Sequence, residues 1–174
     1  MNHENITLIG MPGAGKSTVG VVLAKVLGYR FVDSDLEIQE QTGRRLHELI
    51  SEYGEQGFLE IENRVNAGIS VSNTVIATGG SAVFGTKAME HLRKISTVVY
   101  LKLSYESLRE RLGDLHERGV VMEAGQTLRD LMDIRCPLYE KYAHITVDAE
   151  RMNVRQLAER LGRFKKADAW NQIL

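Results

Sequence analysis

The chain has 174 residues, 43% of them hydrophobic and 26% charged, with 22 basic and 23 acidic side chains and a net charge of −1. That length fits one domain with a substantial core, and the balance excludes disorder, a collagen-like chain and a disulfide scaffold. The near-neutral charge argues against a dedicated nucleic-acid or acidic-membrane binder. The apolar runs, such as Val19–Leu23 and Val98–Leu101, are short, far below the ~18–20 residues of a membrane-spanning helix. Met1–Asn5 has neither the basic nor the apolar region of a signal peptide, and Cys136 is the only cysteine. A cytoplasmic protein in a reducing compartment is the expectation.

Ile6–Ile9 reads as a short buried strand entering a glycine-rich turn. From Lys16 to Leu27 the apolar positions Val19, Val22, Leu23, Val26 and Leu27 recur at helical spacing, and Gly28 is a natural stop. Phe31-Val32 predicts a second strand ending at Asp33, followed by a short helix over Leu36–Thr42 that Gly43 closes. A longer helix is expected from Leu46 to Ala67, broken near Gly54 and Gly57. Thr74–Thr78 and Thr97–Leu101 predict the third and fourth strands, with a helix over Thr86–Arg93 between them. Tyr105–Leu112 is helical, and Gly113–Gly125 is polar and glycine-punctuated, as a mobile loop or lid would be. Leu128–Ile134 predicts a helix whose continuation Pro137 interrupts or bends. His144–Val147 is the fifth strand, and Val154–Phe164 the last helix. Short apolar strands alternating with helices imply a parallel sheet covered on both faces.

Gly10-Met11-Pro12-Gly13-Ala14-Gly15-Lys16-Ser17 matches G-x-x-x-x-G-K-[ST] at every fixed position, between a strand and an amphipathic helix. The glycines let backbone N–H groups turn toward a phosphate, and the helix N-terminus adds partial positive charge. Lys16 supplies a full charge for the β- and γ-phosphates, and Ser17 a hydroxyl for Mg²⁺. The motif implies a nucleoside triphosphate and phosphoryl transfer or hydrolysis. No guanine-reading N-K-x-D motif is present, which favours a small-molecule kinase over a GTPase. Asp33-Ser34-Asp35 closes the second strand. One carboxylate can hold water on Mg²⁺ while the other accepts the proton of an attacking hydroxyl. The same residues also suit a helix N-cap, and both uses are compatible, with Ser34 or Asp35 capping and Asp33 catalytic or metal-linked. Thr78-Gly79-Gly80-Ser81, after the third strand, allows close approach of a ligand to backbone N–H groups.

Taken in order, these motifs resemble the shikimate kinase family over almost the whole chain. The phosphate loop extends through Thr18 and Gly20; Asp33-Ser34-Asp35 matches a D-x-D; Gly54-Glu55-Gln56-Gly57-Phe58 with Glu62 matches most of G-E-x-x-F-R-x-x-E. Thr78-Gly79-Gly80 matches most of a triple-glycine turn, and Arg135-Cys136-Pro137-Leu138-Tyr139 matches R-x-P-L-Y. The resemblance implies a single three-layer α/β/α P-loop kinase domain with a five-stranded parallel sheet of order 2-3-1-4-5. It further implies a lid near residues 113–125 and an acceptor-binding helical region near 34–67. It implies ATP and Mg²⁺, and transfer to a small hydroxylated acceptor, shikimate, to give shikimate 3-phosphate. No nucleic-acid or membrane partner is expected, and a monomer is.

Position by position, the resemblance places Gly13, Ala14, Gly15, Lys16, Ser17 and Thr18 on the phosphates and Arg111 near adenine. It assigns Mg²⁺ to Ser17 and to water held by Asp33. Asp35 becomes base or orienter of the acceptor hydroxyl, and Lys16 and the lid residue Arg118 stabilise the transferring group. Arg135 holds the acceptor carboxylate, with Gly79, Gly80, Ser81 and position 59 lining its site. Two of these positions depart from the family pattern: Leu59 stands where an arginine would grip the carboxylate, and Ser81 replaces the last glycine. The lid also has Gly119 where proline would be expected. Losing one charge-assisted hydrogen bond, about 1.5–3 kcal/mol, weakens binding roughly 10- to 100-fold unless another donor compensates. Arg44, Arg45 and Arg64 are the candidates for that, and Glu62 must pair with another group such as Arg135 or face solvent. Alternatives are a changed hydroxylated acceptor, or a nucleotide-binding protein without transfer activity. His47, His91, His116 and His144 have no metal-ligand spacing.

Overall fold

The apolar runs form strands and the amphipathic runs between them form helices. The structure, a computed structural model, describes residues 4–112 and 125–167. In chain order the elements are β1 (Asn5–Ile9), α1 (Lys16–Leu27), β2 (Arg30–Asp33), α2 (Ser34–Thr42) and α3 (Leu46–Ala67). There follow β3 (Thr74–Ala77), a 3-10 turn (Ala82–Phe84), α4 (Thr86–Ile95), β4 (Ser96–Lys102) and α5 (Tyr105–Leu112). The chain closes with α6 (Leu128–Tyr142), β5 (Ile145–Asp148) and α7 (Val154–Ala167). No described helix is long and apolar enough to cross a membrane.

The five strands pair in the order β2-β3-β1-β4-β5, and every pairing is parallel. Ile6 lies opposite Val75 on one side and Thr97 on the other, so β1 is fully enclosed. β1 begins one residue earlier than its apolar run. Asn5 is buried, donates to the carbonyls of Val71 and Ile95, and accepts from the Thr74 N–H, which ties the three central strands at their base. The chain leaves β1 toward β2 and later crosses β1 to reach β4. Right-handed crossovers in opposite directions put α1 and α4 on opposite faces. Accordingly α1 packs against α7, and α4 against α3.

One large core lies around the sheet, and a separate cluster of Ile38, Leu49, Phe58 and Val65 holds α2 against α3. The residues between β2 and β3 therefore carry a small core of their own. Helix α3 is kinked where Gly54 takes φ 69°, ψ 178°, so the expected break falls at Gly54, while Gly57 stays helical. Pro137, by contrast, does not interrupt α6, which runs on to Tyr142. Proline removes the hydrogen bond to the carbonyl four residues back. That residue, Asp133, is exposed, so water can take the freed oxygen.

Gly10 opens the loop after β1 with φ +147°, and a Cβ there would lie 2.8 Å from the Leu101 carbonyl oxygen of β4. A backbone atom in a central strand cannot move aside. Gly10→Ala is expected to cost about 2–4 kcal/mol and lower the melting temperature by roughly 5–15 °C. Calorimetry that finds an unchanged melting temperature would refute this packing.

Candidate active site

The loop from Gly10 to Ser17 sits at the carboxyl end of β1, where ligands of open parallel sheets bind. Helix α1 starts at Lys16, so its positive end points into the loop. Leu112, the last residue of α5, lies against Gly13, leaving no room there for a Cβ. Lys16 is buried and donates to the carbonyls of Gly10 and Met11 at 2.8 and 2.9 Å. Burial lowers its ammonium to about 8, opposed chiefly by the nearby charge of Asp35. The side chain therefore remains mostly charged at neutral pH, braced on the loop that would hold the phosphates.

Asp33 ends β2 and caps α2: its Oδ1 accepts the Asp35 N–H at 3.0 Å. Capping thus falls to Asp33 itself, not to Ser34 or Asp35, because α2 begins two residues earlier than its apolar pattern. Its other oxygen, Oδ2, accepts from the Ser17 hydroxyl at 2.7 Å. One hydroxyl and one carboxylate at the phosphate loop form a hard-oxygen donor pair of the kind Mg²⁺ takes alongside phosphate and water. Among the described residues no group of three or more His, Cys, Asp and Glu is gathered into a metal cage. Ser34, between the two aspartates, is fully buried and accepts from the Gly79 N–H at 3.2 Å. This joins the start of α2 to the turn after β3.

The turn itself is packed to the limit. A Cβ on Gly79 would meet Glu62 Oε1 at 2.6 Å and Asp35 Oδ1 at 2.9 Å, and one on Gly80 would meet the Pro12 ring at 2.7 Å. Gly80 also accepts from the Tyr139 hydroxyl at 2.6 Å, which docks α6 on the same turn. The result is a cleft of about 440 Å³. Lys16, Asp35, Glu62 and Arg135 line it together with Ser17, Thr18, Gly79, Gly80 and Ser81, and Leu46 and Phe58 provide apolar surface.

Two cations and two carboxyl groups thus face one another with little solvent. Burial, with help from Asp33, raises Asp35 to about 6. Burial raises Glu62 to about 7, while a hydrogen bond from Ser81 acts the other way. Glu62 is 1% exposed, and its Oε2 accepts from the Ser81 hydroxyl at 2.7 Å. The glutamate therefore does not turn to solvent: the Ser81 that departs from the family turn supplies a donor where Leu59 has none. Arg135 is 2% exposed and lies over the Phe84 ring at 5.5 Å.

Not every expected site residue lines the cleft. Leu59 is not among the cleft-lining residues; it packs half-buried on the small core of α2 and α3. None of the three candidate arginines lines the cleft. Arg44 is ion-paired with Glu52, Arg45 sits at the exposed start of α3, and Arg64 is exposed. Arg111 is exposed beside Leu112, and its charge acts on Glu150, which accepts from Ser104 and Ser107 at the start of α5. Arg118 and the lid segment 113–124 lie outside the described residues. His91 and His144 are structural, bonded to the Ile69 carbonyl and the Val98 N–H. Ser34, expected from sequence only as a helix cap, and Tyr139 and Phe84, given no role there, shape the site. The first two lay inside recognised motifs; Phe84 carried no signal.

A family model described as shikimate kinase matches residues 12–165. The shikimate kinase of Thiobacillus denitrificans is 40% identical over 155 residues, covering 87% of this chain and 85% of that one. The shikimate kinase of Pseudomonas paraeruginosa is 39% identical over 164 residues, covering 90% and 95%. Among solved structures, a shikimate kinase from Acinetobacter baumannii in complex with shikimate superposes with a TM-score of 0.86 at 36% identity, over 95% of this chain and 94% of that one. With the fold, the phosphate loop and the cleft in agreement, the chain belongs to the shikimate kinase family.

Proposed function

We propose that this chain transfers the γ-phosphoryl group of ATP to a hydroxyl of shikimate, giving shikimate 3-phosphate. The observation that carries this reading is the convergence of Lys16, Asp35 and Arg135 on one cleft. Lys16 suits a polyphosphate, Arg135 a carboxylate, and Asp35 adds a carboxyl group to the same cleft. The relatives named shikimate kinase and the neighbour with shikimate bound support that acceptor.

The loop N–H groups and Lys16 bind and orient the phosphates, and Lys16 offsets charge on the transferring group. Ser17 and Asp33 would hold Mg²⁺, which supplies further charge neutralisation on the phosphates when bound. Arg135 grips the acceptor carboxylate, and the paired fork of a guanidinium fixes its direction. Asp35, raised to about 6, is ionised at neutral pH yet more basic than an exposed aspartate. That suits it to accept a hydrogen bond, then the proton, from the attacking hydroxyl. Residues 34–67 form the acceptor-binding region around their own small core. The protein works as a cytoplasmic monomer on small molecules only.

Mg²⁺- and ATP-dependent ADP release, measured with saturating shikimate against a no-acceptor blank and a panel of small hydroxy acids, tests this directly. Strong stimulation by shikimate is expected. Turnover on another acceptor alone would show that Leu59 and Ser81 mark a changed specificity, and no acceptor-dependent release would leave a nucleotide-binding protein. Asp35→Asn is expected to cut turnover by about 10²- to 10⁴-fold in a folded protein; near-normal turnover would remove the base role. Lys16→Ala should abolish transfer, and retained ATP-dependent activity would contradict its part in charge stabilisation.

A further inference from the structure

Among the described residues Arg135 is the one arginine that lines the cleft. It is buried, so the protein rather than water must face much of its charge. Part of what faces it is a ring. The Arg135 guanidinium carbon lies 5.5 Å from the centre of the Phe84 ring, within the ~6 Å reach of a cation–π contact. Phe84 is not needed to anchor its own segment: the 3-10 turn buries Ala82 and Val83, whereas Phe84 is 38% exposed. Nor does Phe84 line the cleft. Its ring stands at the surface on one side and against a buried cation on the other.

The two elements that carry this pair are fastened to each other. Tyr139, one helical turn beyond Arg135 on α6, donates to the Gly80 carbonyl at 2.6 Å, in the turn that leads into the Ala82–Phe84 segment. Tyr139 is itself fully buried and stacks on Tyr100 of β4, with ring centres 5.1 Å apart. Helix α6 is thus tied to the turn that carries Phe84, and the ring and the guanidinium keep their spacing. An aromatic ring attracts a guanidinium without using any of its N–H donors. Those donors are kept for polar partners, and a carboxylate matches their fork.

We propose that Phe84 is a positioning residue for the acceptor: its ring holds the Arg135 guanidinium in the direction from which it grips the acceptor's carboxylate. The inference rests on the reading that the acceptor is a carboxylic acid, shikimate, held by Arg135. Pre-organisation gives the sign. An arginine already held in place loses less freedom when the acceptor binds, so the ring raises affinity. An aliphatic side chain of similar bulk keeps the packing and loses the attraction to the cation. The nucleotide end is made by the phosphate loop and Lys16, so the effect falls on one substrate alone.

The experiment measures kcat, the KM for shikimate and the KM for ATP, with calorimetry of shikimate binding. It compares the intact protein with Phe84→Leu and Phe84→Met, which remove the ring, and with Phe84→Tyr, which keeps it. Both aliphatic variants should raise the KM for shikimate roughly 3- to 20-fold and weaken its binding by a similar factor. Their kcat and KM for ATP should stay within about 2-fold of the intact protein, because Phe84 touches neither the phosphates nor the reacting atoms. Phe84→Tyr should stay within about 2-fold in all three constants, since a ring of the same kind remains. An unchanged KM for shikimate in the aliphatic variants, an equal rise in Phe84→Tyr, or a matching rise in the KM for ATP would each overturn the inference, while shikimate-dependent turnover by the intact protein keeps the functional reading standing. Absence of both turnover and binding with shikimate in the intact protein would overturn that reading and this inference with it.

Discussion

The site depends on how closely the turn after β3 approaches its neighbours. With no side chain at Gly79 and Gly80, that backbone lies directly against Glu62, Asp35 and the ring of Pro12. The contact joins the phosphate loop, α2 and α3 into one wall. The Tyr139 hydroxyl on the Gly80 carbonyl then adds α6, and Arg135 comes with it. A side chain at Gly79 would displace the Glu62 and Asp35 carboxyl groups, and one at Gly80 would press on Pro12 of the phosphate loop. In-line transfer tolerates little such displacement, since positioning supplies much of the rate.

That closeness has an electrostatic consequence. Lys16, Asp35, Glu62 and Arg135 are all brought out of bulk water, and each charge is costly there unless others compensate it. Two cations and two carboxyl groups offset one another in the cleft, and hydrogen bonds from the fold hold several polar atoms in and beside it. Lys16 rests on loop carbonyls, Asp33 on Ser17 and the α2 backbone, and Glu62 on Ser81. The residual imbalance appears as carboxyl groups that titrate closer to neutrality than exposed ones. A kinase that must accept a proton at one carboxylate and an anion beside another has use for both features.

Of the departures from the family pattern, Ser81 meets Glu62 directly, while Leu59 lies away from the cleft. Leu59 joins the small apolar core of α2 and α3, and the Ser81 hydroxyl bonds Glu62. Arg135 is the one cleft-lining arginine among the described residues. The separate core under α2 and α3 makes such an exchange tolerable, because leucine at position 59 adds apolar contact where it lands.

The phosphate loop, the strand runs, the Gly43 stop and the Gly54 break were legible in the sequence. So was the family, through the order of its motifs. Each of these is set locally: a strand by its run of apolar residues, a loop by glycines that reach backbone angles other residues avoid, a helix face by its period. What Asp33 caps, where Leu59 points and how α6 carries Pro137 were decided by tertiary structure. The partner of Glu62 is nineteen residues away on another element. A buried hydrogen bond of that kind depends on how α3 and the β3 turn pack, and no local pattern encodes it. The sequence by itself determined the chemistry of the nucleotide end, where backbone geometry makes the site; only packing decided the acceptor end, where side chains from α1, α2, α3 and α6 must converge to make one.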